Sequence, residues 1–183
     1  MTPEEPALDI DRLIEVLDRY DVTYLLVGGV SAIAHGATRP TNDFDCVVER
    51  GQQNLTRLAE AMRELNARIR AEGLSDEDAK TLPTQIDAQM FGAMEISTWC
   101  TDAGNFDVLA EIPDRDGHRL RYGTLAERAT ALTLSGHTVV VAGLDDVIAS
   151  KEWADRPKDH EALPELRRLR DAQNDEHDPA KGP

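Results

Sequence analysis

One stretch of the chain, residues 25–48, constrains the fold more than any other. An apolar run at 24–27 predicts a short buried strand, and Gly28 and Gly29 follow where the chain would turn into a helix over residues 29–36. A second apolar strand is predicted at 44–48. Two strands joined through a glycine pair and a short helix predict an α/β domain in which both strands belong to one sheet.

Two aspartates lie at the start of the second strand. Asp43 and Asp45 are separated by one residue, and residues i and i+2 of a strand point to the same face. Two neighbouring carboxylates suit a magnesium-type ion that also holds substrate phosphates. Gly28 and Gly29 lack Cβ atoms, so their backbone N–H groups are open to a phosphate. Taken singly, each motif also fits an ordinary turn.

Together these residues form a recognisable pattern: Gly28-Gly29, then Arg39-x-Thr41-x-Asp43-x-Asp45. The pattern resembles the DNA polymerase β-like nucleotidyltransferase superfamily, and most closely its AbiEii/MenT branch, which is known for toxins of toxin–antitoxin systems. The resemblance implies a nucleotidyltransferase-like mixed twisted sheet flanked by helices, with a helical C-terminal part. It extends over residues 20–170 and is strongest at 25–48 and 144–163.

Asp107 is the candidate for a third carboxylate. Two-metal phosphoryl chemistry needs one close to the first pair. Asp107 lies early in an apolar strand, just after a predicted turn, where an ionised side chain is costly unless a metal or a donor satisfies it. The superfamily places its third carboxylate on a strand of this kind. The alternative is an aspartate at a strand edge that faces water.

Lys151 lies on the apolar face of a predicted helix, because the apolar residues at 144, 147 and 148 lie at helical spacing from it. It therefore places a positive charge on that face. Such a lysine either extends to solvent or meets an anion. The run from Lys151 to Asp159 resembles a downstream motif of the family, which implies that Lys151 binds nucleotide phosphates and that Asp159 positions the site. Asp159 also fits a simple helix-start role, since it follows Pro157 at the first helical turn.

Three further residues are candidate nucleotide contacts. Thr41 shares strand parity with the aspartates, so its hydroxyl either faces the phosphates or stabilises the turn. Ser31 is placed to bond a phosphate at the start of the predicted helix, and Arg39 belongs to the family pattern. Arg156 and Lys158 are either substrate contacts or ordinary surface residues.

The rest of the chain predicts one core with helical additions. We predict a core at 1–143, helices that close the site at 144–170 and a disordered acidic tail at 171–183. The predicted elements are helices at 9–20 and from Leu55 to Ile69, a loop or short helix at 73–83, strands at 94–101 and 106–112, a helix at 124–132, a hairpin or strand at 134–141, and helices at 144–155 and 157–170.

Composition limits the partners and the compartment. The 183 residues carry a formal net charge of −15, which argues against a general nucleic-acid coat. Locally basic windows at 57–70, 115–128 and 156–170 form either a basic groove or solvated helix faces. We expect a cytoplasmic protein without a membrane span, because no basic leader and no apolar run of about 18 residues is present.

The expected activity is transfer of a nucleoside monophosphate from an NTP to an acceptor hydroxyl, with Mg²⁺ held by Asp43, Asp45 and Asp107. The resemblance implies the 3′ end of tRNA as acceptor and a cognate antitoxin as partner. Another RNA acceptor would fit the same reaction. Two alternatives stay open: a nucleotidyltransferase that acts on a small molecule or a protein side chain, and a non-catalytic partner protein with the same fold.

Overall fold

The computed structural model describes residues 7–71, 73, 76–81 and 84–176. The helices are α1 (Ile10–Arg19), α2 (Gly28–Ala34), α3 (Gln52–Glu64), α4 (Asp76–Thr81), α5 (Ala88–Ala93), α6 (Tyr122–Ala126), α7 (Leu144–Ala154) and α8 (Pro157–Glu176). The strands are β1 (Tyr24–Val27), β2 (Asp43–Val48), β3 (Arg68–Ile69), β4 (Ile96–Thr101), β5 (Gly104–Leu109), β6 (Glu111–Pro113), β7 (Arg119–Arg121), β8 (Thr130–Leu134) and β9 (His137–Val141).

Seven strands form one mixed sheet in the order β3-β4-β5-β2-β1-β9-β8. The pairs β2–β5 and β1–β9 are parallel, and the other neighbours in this sheet are antiparallel. A separate two-stranded ribbon joins β6 and β7. The prediction of a mixed α/β sheet flanked by helices, with a helical C-terminal part, is confirmed.

The two faces of the sheet bury two different sets of apolar residues. Phe44 and Cys46 of β2 pack on the face that α1 and α3 cover. Val47 points the other way, into a cluster with Val147 of α7 and Leu166 of α8. Because side chains alternate along a strand, the odd-numbered aspartates of β2 face α7 and α8. The C-terminal helices therefore form the opposite wall of any site at these carboxylates.

The predicted helix from Leu55 to Ile69 ends earlier than the apolar pattern indicates. Asn66 has a φ of 50°, a left-handed conformation that asparagine tolerates better than most residues. Its side chain donates a hydrogen bond to Asp102. The chain then enters β3, where Ile69 pairs with Trp99. Ile69 is thus a strand residue, and tertiary pairing overrides the helical spacing.

The predicted helix at 124–132 is wrong. Helix α6 ends at Ala126, and Thr130–Leu134 forms strand β8 instead. Ser135 and Gly136 both have positive φ, the requirement of a tight turn between antiparallel strands. The region 134–141 is accordingly the turn and second strand of a hairpin. Helix α5 was not predicted; Asp87 caps its N-terminus, and the Asp87 carboxylate accepts the backbone N–H of Met90.

Helix α8 is longer than the sequence pattern indicates. It continues to Glu176 and contains Pro164, so the prediction of disorder is wrong for residues 171–176. Residues 177–183 lie outside the described part of the chain. None of the helices in the described ranges is long and apolar enough to cross a membrane. The division of the chain at residue 143 stays a prediction.

Asn54 of α3 joins the two central strands at the end remote from the aspartates. Its side chain accepts the N–H of Thr23 at 2.7 Å and donates to the carbonyl oxygens of Thr23 and Glu49 at 2.9 and 2.7 Å. We expect Asn54→Ala to lower the free energy of unfolding by about 2 kcal/mol, because three hydrogen bonds to backbone groups are lost. Urea unfolding measures the change, and Gln53→Ala, an exposed neighbour on the same helix, is the control. Equal stability of both variants would contradict the assignment.

Candidate active site

Three aspartates lie side by side on one face of the sheet. Asp45 of β2 is directly opposite Asp107 of the parallel strand β5, and Asp43 has the same parity as Asp45. They border a cleft of about 190 Å³ between the sheet and helix α8. The cleft also contains most of the predicted site residues, namely Gly28, Gly29, Arg39, Thr41 and Lys151.

The glycine pair packs directly against the aspartate strand. Gly28 has a φ of +61°, and a Cβ at this position would overlap the Asp45 carboxylate. A Cβ on Gly29 would overlap the Thr41 hydroxyl. The backbone N–H of Gly29 donates a hydrogen bond to Asp45. The pair is therefore required for the close approach of α2 to β2, and its predicted phosphate contact stays a prediction.

The carboxylate cluster is electrostatically unfavourable in the absence of a cation. Burial, together with the charges of Asp107 and Asp43, raises the pKa of Asp45 from 3.8 to about 6, although Lys158 and the Gly29 N–H oppose part of the rise. Burial also raises the pKa of Asp107, and the Arg70 guanidinium opposes part of that rise. Both shifts mean that the ionised cluster is destabilised in the folded protein.

Arg70 is a site residue that the sequence did not reveal. Its guanidinium lies 2.8 Å from Asp107 Oδ1 and 3.1 Å from Asp43 Oδ1. The residue directly follows β3 and reaches the cluster across β4 and β5. The helical pattern that extended to Ile69 hid this position, because only the pairing of β3 with β4 brings Arg70 to the aspartates.

Asp159 lies behind the cleft and holds two cations. It is fully buried, and its carboxylate contacts Lys151 Nζ at 3.3 Å and Arg156 Nε at 2.6 Å. Burial raises the pKa of Asp159, but the hydrogen bond from Arg156 and the charge of Lys151 outweigh that effect and the net pKa is lowered. The anion that Lys151 meets is thus Asp159. Lys151, Arg156 and Lys158 all line the cleft, and Lys158 has no ion-pair partner among the residues that the structure describes.

Helix α8 also holds the segment that leads into β2. Glu165 accepts hydrogen bonds from the backbone N–H and the hydroxyl of Thr38, at 2.9 and 2.8 Å. Arg39 forms a 2.6 Å ion pair with Glu161. Thr41 bonds through its hydroxyl to the backbone of Asp43, at 3.2 Å to the carbonyl oxygen. Its turn-stabilising role is therefore present in the structure, and it lines the cleft as well.

Ser31 is not brought to the cleft surface. Its side chain is fully buried within α2, and its hydroxyl has no hydrogen-bond partner in the described structure. The residue belongs to the packing between α2 and the sheet in this conformation. Its predicted phosphate contact stays a prediction.

A second acidic group lies outside the cleft, in the loop between β6 and β7. It consists of Asp114, Asp116 and His118. The Asp114 carboxylate accepts the backbone N–H groups of Asp116 and His118 at 2.9 and 2.8 Å. These two hydrogen bonds to Asp114 explain why the three side chains lie close together in the loop.

The predicted basic windows are largely neutralised by acidic partners. Arg119 and Arg121 both pair with Glu111, and Arg115 and Arg167 both pair with Glu152. These arginines therefore form small mixed-charge networks on the surface. They do not present an uninterrupted basic stripe.

The fold is similar to that of solved nucleotidyltransferases, whereas no protein-family model and no curated protein sequence matches the chain. The lincosamide antibiotic adenylyltransferase LnuA, solved with lincomycin bound, superposes with a TM-score of 0.57 at 13% identity, over 89% of this chain and 99% of that one. ANT(2")-Ia in complex with adenylyl-2"-tobramycin gives 0.52 at 14% identity, over 92% and 96%.

A solution structure of the antibiotic-resistance factor ANT(2'')-Ia gives a TM-score of 0.54 at 14% identity, over 92% of this chain and 90% of that chain. Identities this low establish similarity of fold. The superpositions extend over nearly the whole chain, so the similarity includes the sheet and the C-terminal helices. The chain therefore has the nucleotidyltransferase fold.

Proposed function

We propose that the protein is a metal-dependent nucleotidyltransferase that moves a nucleoside monophosphate from an NTP to an acceptor hydroxyl. The observation that carries this proposal is the convergence of Asp43, Asp45 and Asp107 on one sheet face, inside a cleft whose other wall supplies cations. The nucleotidyltransferase fold supports it, and so does the motif through which the sequence resembles that superfamily.

The carboxylate cluster fits a divalent metal ion. Its oxygens are hard ligands, and burial together with mutual repulsion makes the ionised cluster costly until a cation arrives. Mg²⁺ is the ion expected with a nucleoside triphosphate, and when bound it would neutralise charge on the reacting phosphates. Asp43, Asp45 and Asp107 would hold it.

The remaining cleft residues have roles that follow from their positions. The acceptor oxygen attacks the α-phosphorus, the bond between this phosphorus and the α,β-bridging oxygen breaks, and pyrophosphate leaves. Asp107 would accept the hydroxyl proton, a role for which a raised pKa is suited. Lys151 and Lys158 would balance the charge of the phosphates from the α7–α8 wall. Gly28, Gly29, Arg39 and Thr41 would contact the nucleotide from the other side.

The charge distribution favours a small molecule as acceptor. The net charge of −15 and the pairing of the surface arginines with glutamates leave little basic surface for an RNA backbone. Two structural neighbours were solved with lincomycin or adenylyl-2"-tobramycin bound, which supports a small hydroxylated acceptor. The tRNA 3′ end, with a toxin role and an antitoxin partner, is the second candidate. It is supported by the resemblance of residues 39–45 to the AbiEii/MenT pattern.

We expect Asp43→Asn and Asp45→Asn each to reduce nucleotide transfer to background, because each removes a metal ligand. Transfer is measured with α-labelled NTPs and Mg²⁺. Asp116→Asn, which changes an exposed aspartate of the loop cluster, is the matched control and should retain wild-type activity. Loss of activity in Asp116→Asn with full activity in Asp43→Asn would move the metal site to the loop.

The stability of the metal-free protein should depend on Asp45 and on pH. The folded-state pKa of about 6 exceeds the ordinary value of 3.8, so the folded protein loses stability as pH rises from about 4 to 6. The penalty is at most on the order of 3 kcal/mol. Asp45→Asn should therefore raise the melting temperature at pH 7.5 in EDTA, and the gain should disappear near pH 4.

Asp43→Asn is the control for this pH effect. It weakens the ion pair with Arg70 and should give no comparable gain at pH 7.5. A melting temperature of Asp45→Asn that is equal to or below that of the wild type at pH 7.5 would show that the ionised cluster is not strained.

The acceptor class is separable by labelling and salt dependence. With a small-molecule acceptor, labelled nucleotide should enter the metabolite fraction of a cell extract, and Arg119→Glu/Arg121→Glu should leave transfer unchanged. With tRNA as acceptor, the label should enter RNA, fall steeply with salt and fall further in the double variant. The matched control for charge reversal is Arg19→Glu, which changes an exposed arginine of α1 that pairs with Glu64 of α3.

A further inference from the structure

The Arg70 guanidinium lies where a cation shared by two of the aspartates would lie. A single terminal nitrogen, Nη2, contacts Asp107 Oδ1 at 2.8 Å and Asp43 Oδ1 at 3.1 Å. It bridges two strands that are neighbours in the sheet. The backbone N–H of Gly29 donates to the Asp45 carboxylate and opposes part of the rise in its pKa.

The backbone of Arg70 is fixed beside the cluster. Its N–H donates to the carbonyl oxygen of Thr98 at 2.8 Å, and the Thr98 hydroxyl donates back to the Arg70 carbonyl oxygen. Thr98 is also the residue opposite Asp107 across β4 and β5. The arginine is therefore attached to the same strand pair as the carboxylate it contacts, and its side chain is only 32% exposed.

This arrangement has a direct electrostatic consequence. The guanidinium lowers the cost of holding Asp107 ionised in a partly buried position. A divalent ion held between Asp43 and Asp107 would compete with Arg70 for these two carboxylates. Two cations beside the same pair of carboxylates would also repel each other.

We propose that Arg70 is the resident counter-cation of the metal site, and that it must leave Asp43 and Asp107 when a divalent ion binds between them. The proposal rests on the metal site of the proposed function. It adds that this arginine supplies the positive charge beside Asp43 and Asp107 in the metal-free protein. Metal affinity is therefore lower than three carboxylates alone would give. A triphosphate that arrives with the ion supplies new anionic partners for the released guanidinium.

The test compares Mn²⁺ binding by Arg70→Gln, Arg70→Lys and the wild type. Bound Mn²⁺ is quantified from the loss of the free-ion electron paramagnetic resonance signal, in the absence of nucleotide. Arg70→Gln should bind Mn²⁺ roughly tenfold more tightly, because a charge-assisted competitor is removed. Its melting temperature in EDTA should be lower than that of the wild type, because the carboxylates lose their counter-charge.

Arg68→Gln is the matched control. Arg68 lies two residues earlier on β3 and pairs with Asp102 at 3.3 Å, away from the cleft. Its replacement removes the same charge and should leave Mn²⁺ affinity unchanged. Arg70→Lys keeps the charge but lacks the planar fork, and should fall between the wild type and Arg70→Gln. If Arg70→Gln does not fold, the Mn²⁺ affinity of Arg70→Lys is compared with that of the wild type instead.

The outcomes separate this inference from the proposed function. If Arg70→Gln and Arg70→Lys bind Mn²⁺ with wild-type or weaker affinity, Arg70 is a structural residue and the inference is overturned while the metal site stands. If the wild type and all variants bind no Mn²⁺, the metal site itself is wrong and the proposed function fails with it. If Arg68→Gln binds Mn²⁺ more tightly than the wild type, and as tightly as Arg70→Gln does, the effect is one of overall charge and the inference is also overturned.

Discussion

Repulsion among three partly buried carboxylates is the constraint on which the arrangement of the site depends. The parallel pairing of β2 with β5 places Asp45 opposite Asp107, and the alternation of β2 adds Asp43 to the same face. A sheet holds these positions rigidly, so the carboxylates have no freedom to separate. The free-energy cost of their repulsion must be offset by other groups around the cleft.

The compensation comes from three directions. Gly29 contributes a backbone N–H from the start of α2, which requires the close approach that only glycine at position 28 permits. Arg70, the residue after β3, contributes a guanidinium. The α7–α8 wall contributes Lys158, whose charge opposes the rise in the pKa of Asp45 and of Asp107. Removal of any one of these groups leaves the others to balance more negative charge.

The sequence predicted the parts of the site that are local. Residues 24–48 form strand, helix and strand because apolar alternation and the glycine pair act over short distances, and Asp107 was identifiable from its place in an apolar strand. Arg70 was not identifiable, because its role depends on the pairing of β3 with β4. Helical spacing misled at Ile69 and again in the region that became β8, since partner strands supply what local propensity does not. Burial of Ser31 likewise depends on packing that no local motif reports.

Helix α8 connects the geometry of the site to its chemistry. It supplies the cleft wall, and through Glu165 and Glu161 it also holds Thr38 and Arg39, which precede the aspartate strand. Any movement of α8 would therefore shift both Lys158 and the segment that leads to Asp43. A substrate that enters between α8 and the sheet contacts both walls at once. The binding of nucleotide phosphates by Lys158 would thus be coupled, through α8, to the segment that precedes Asp43.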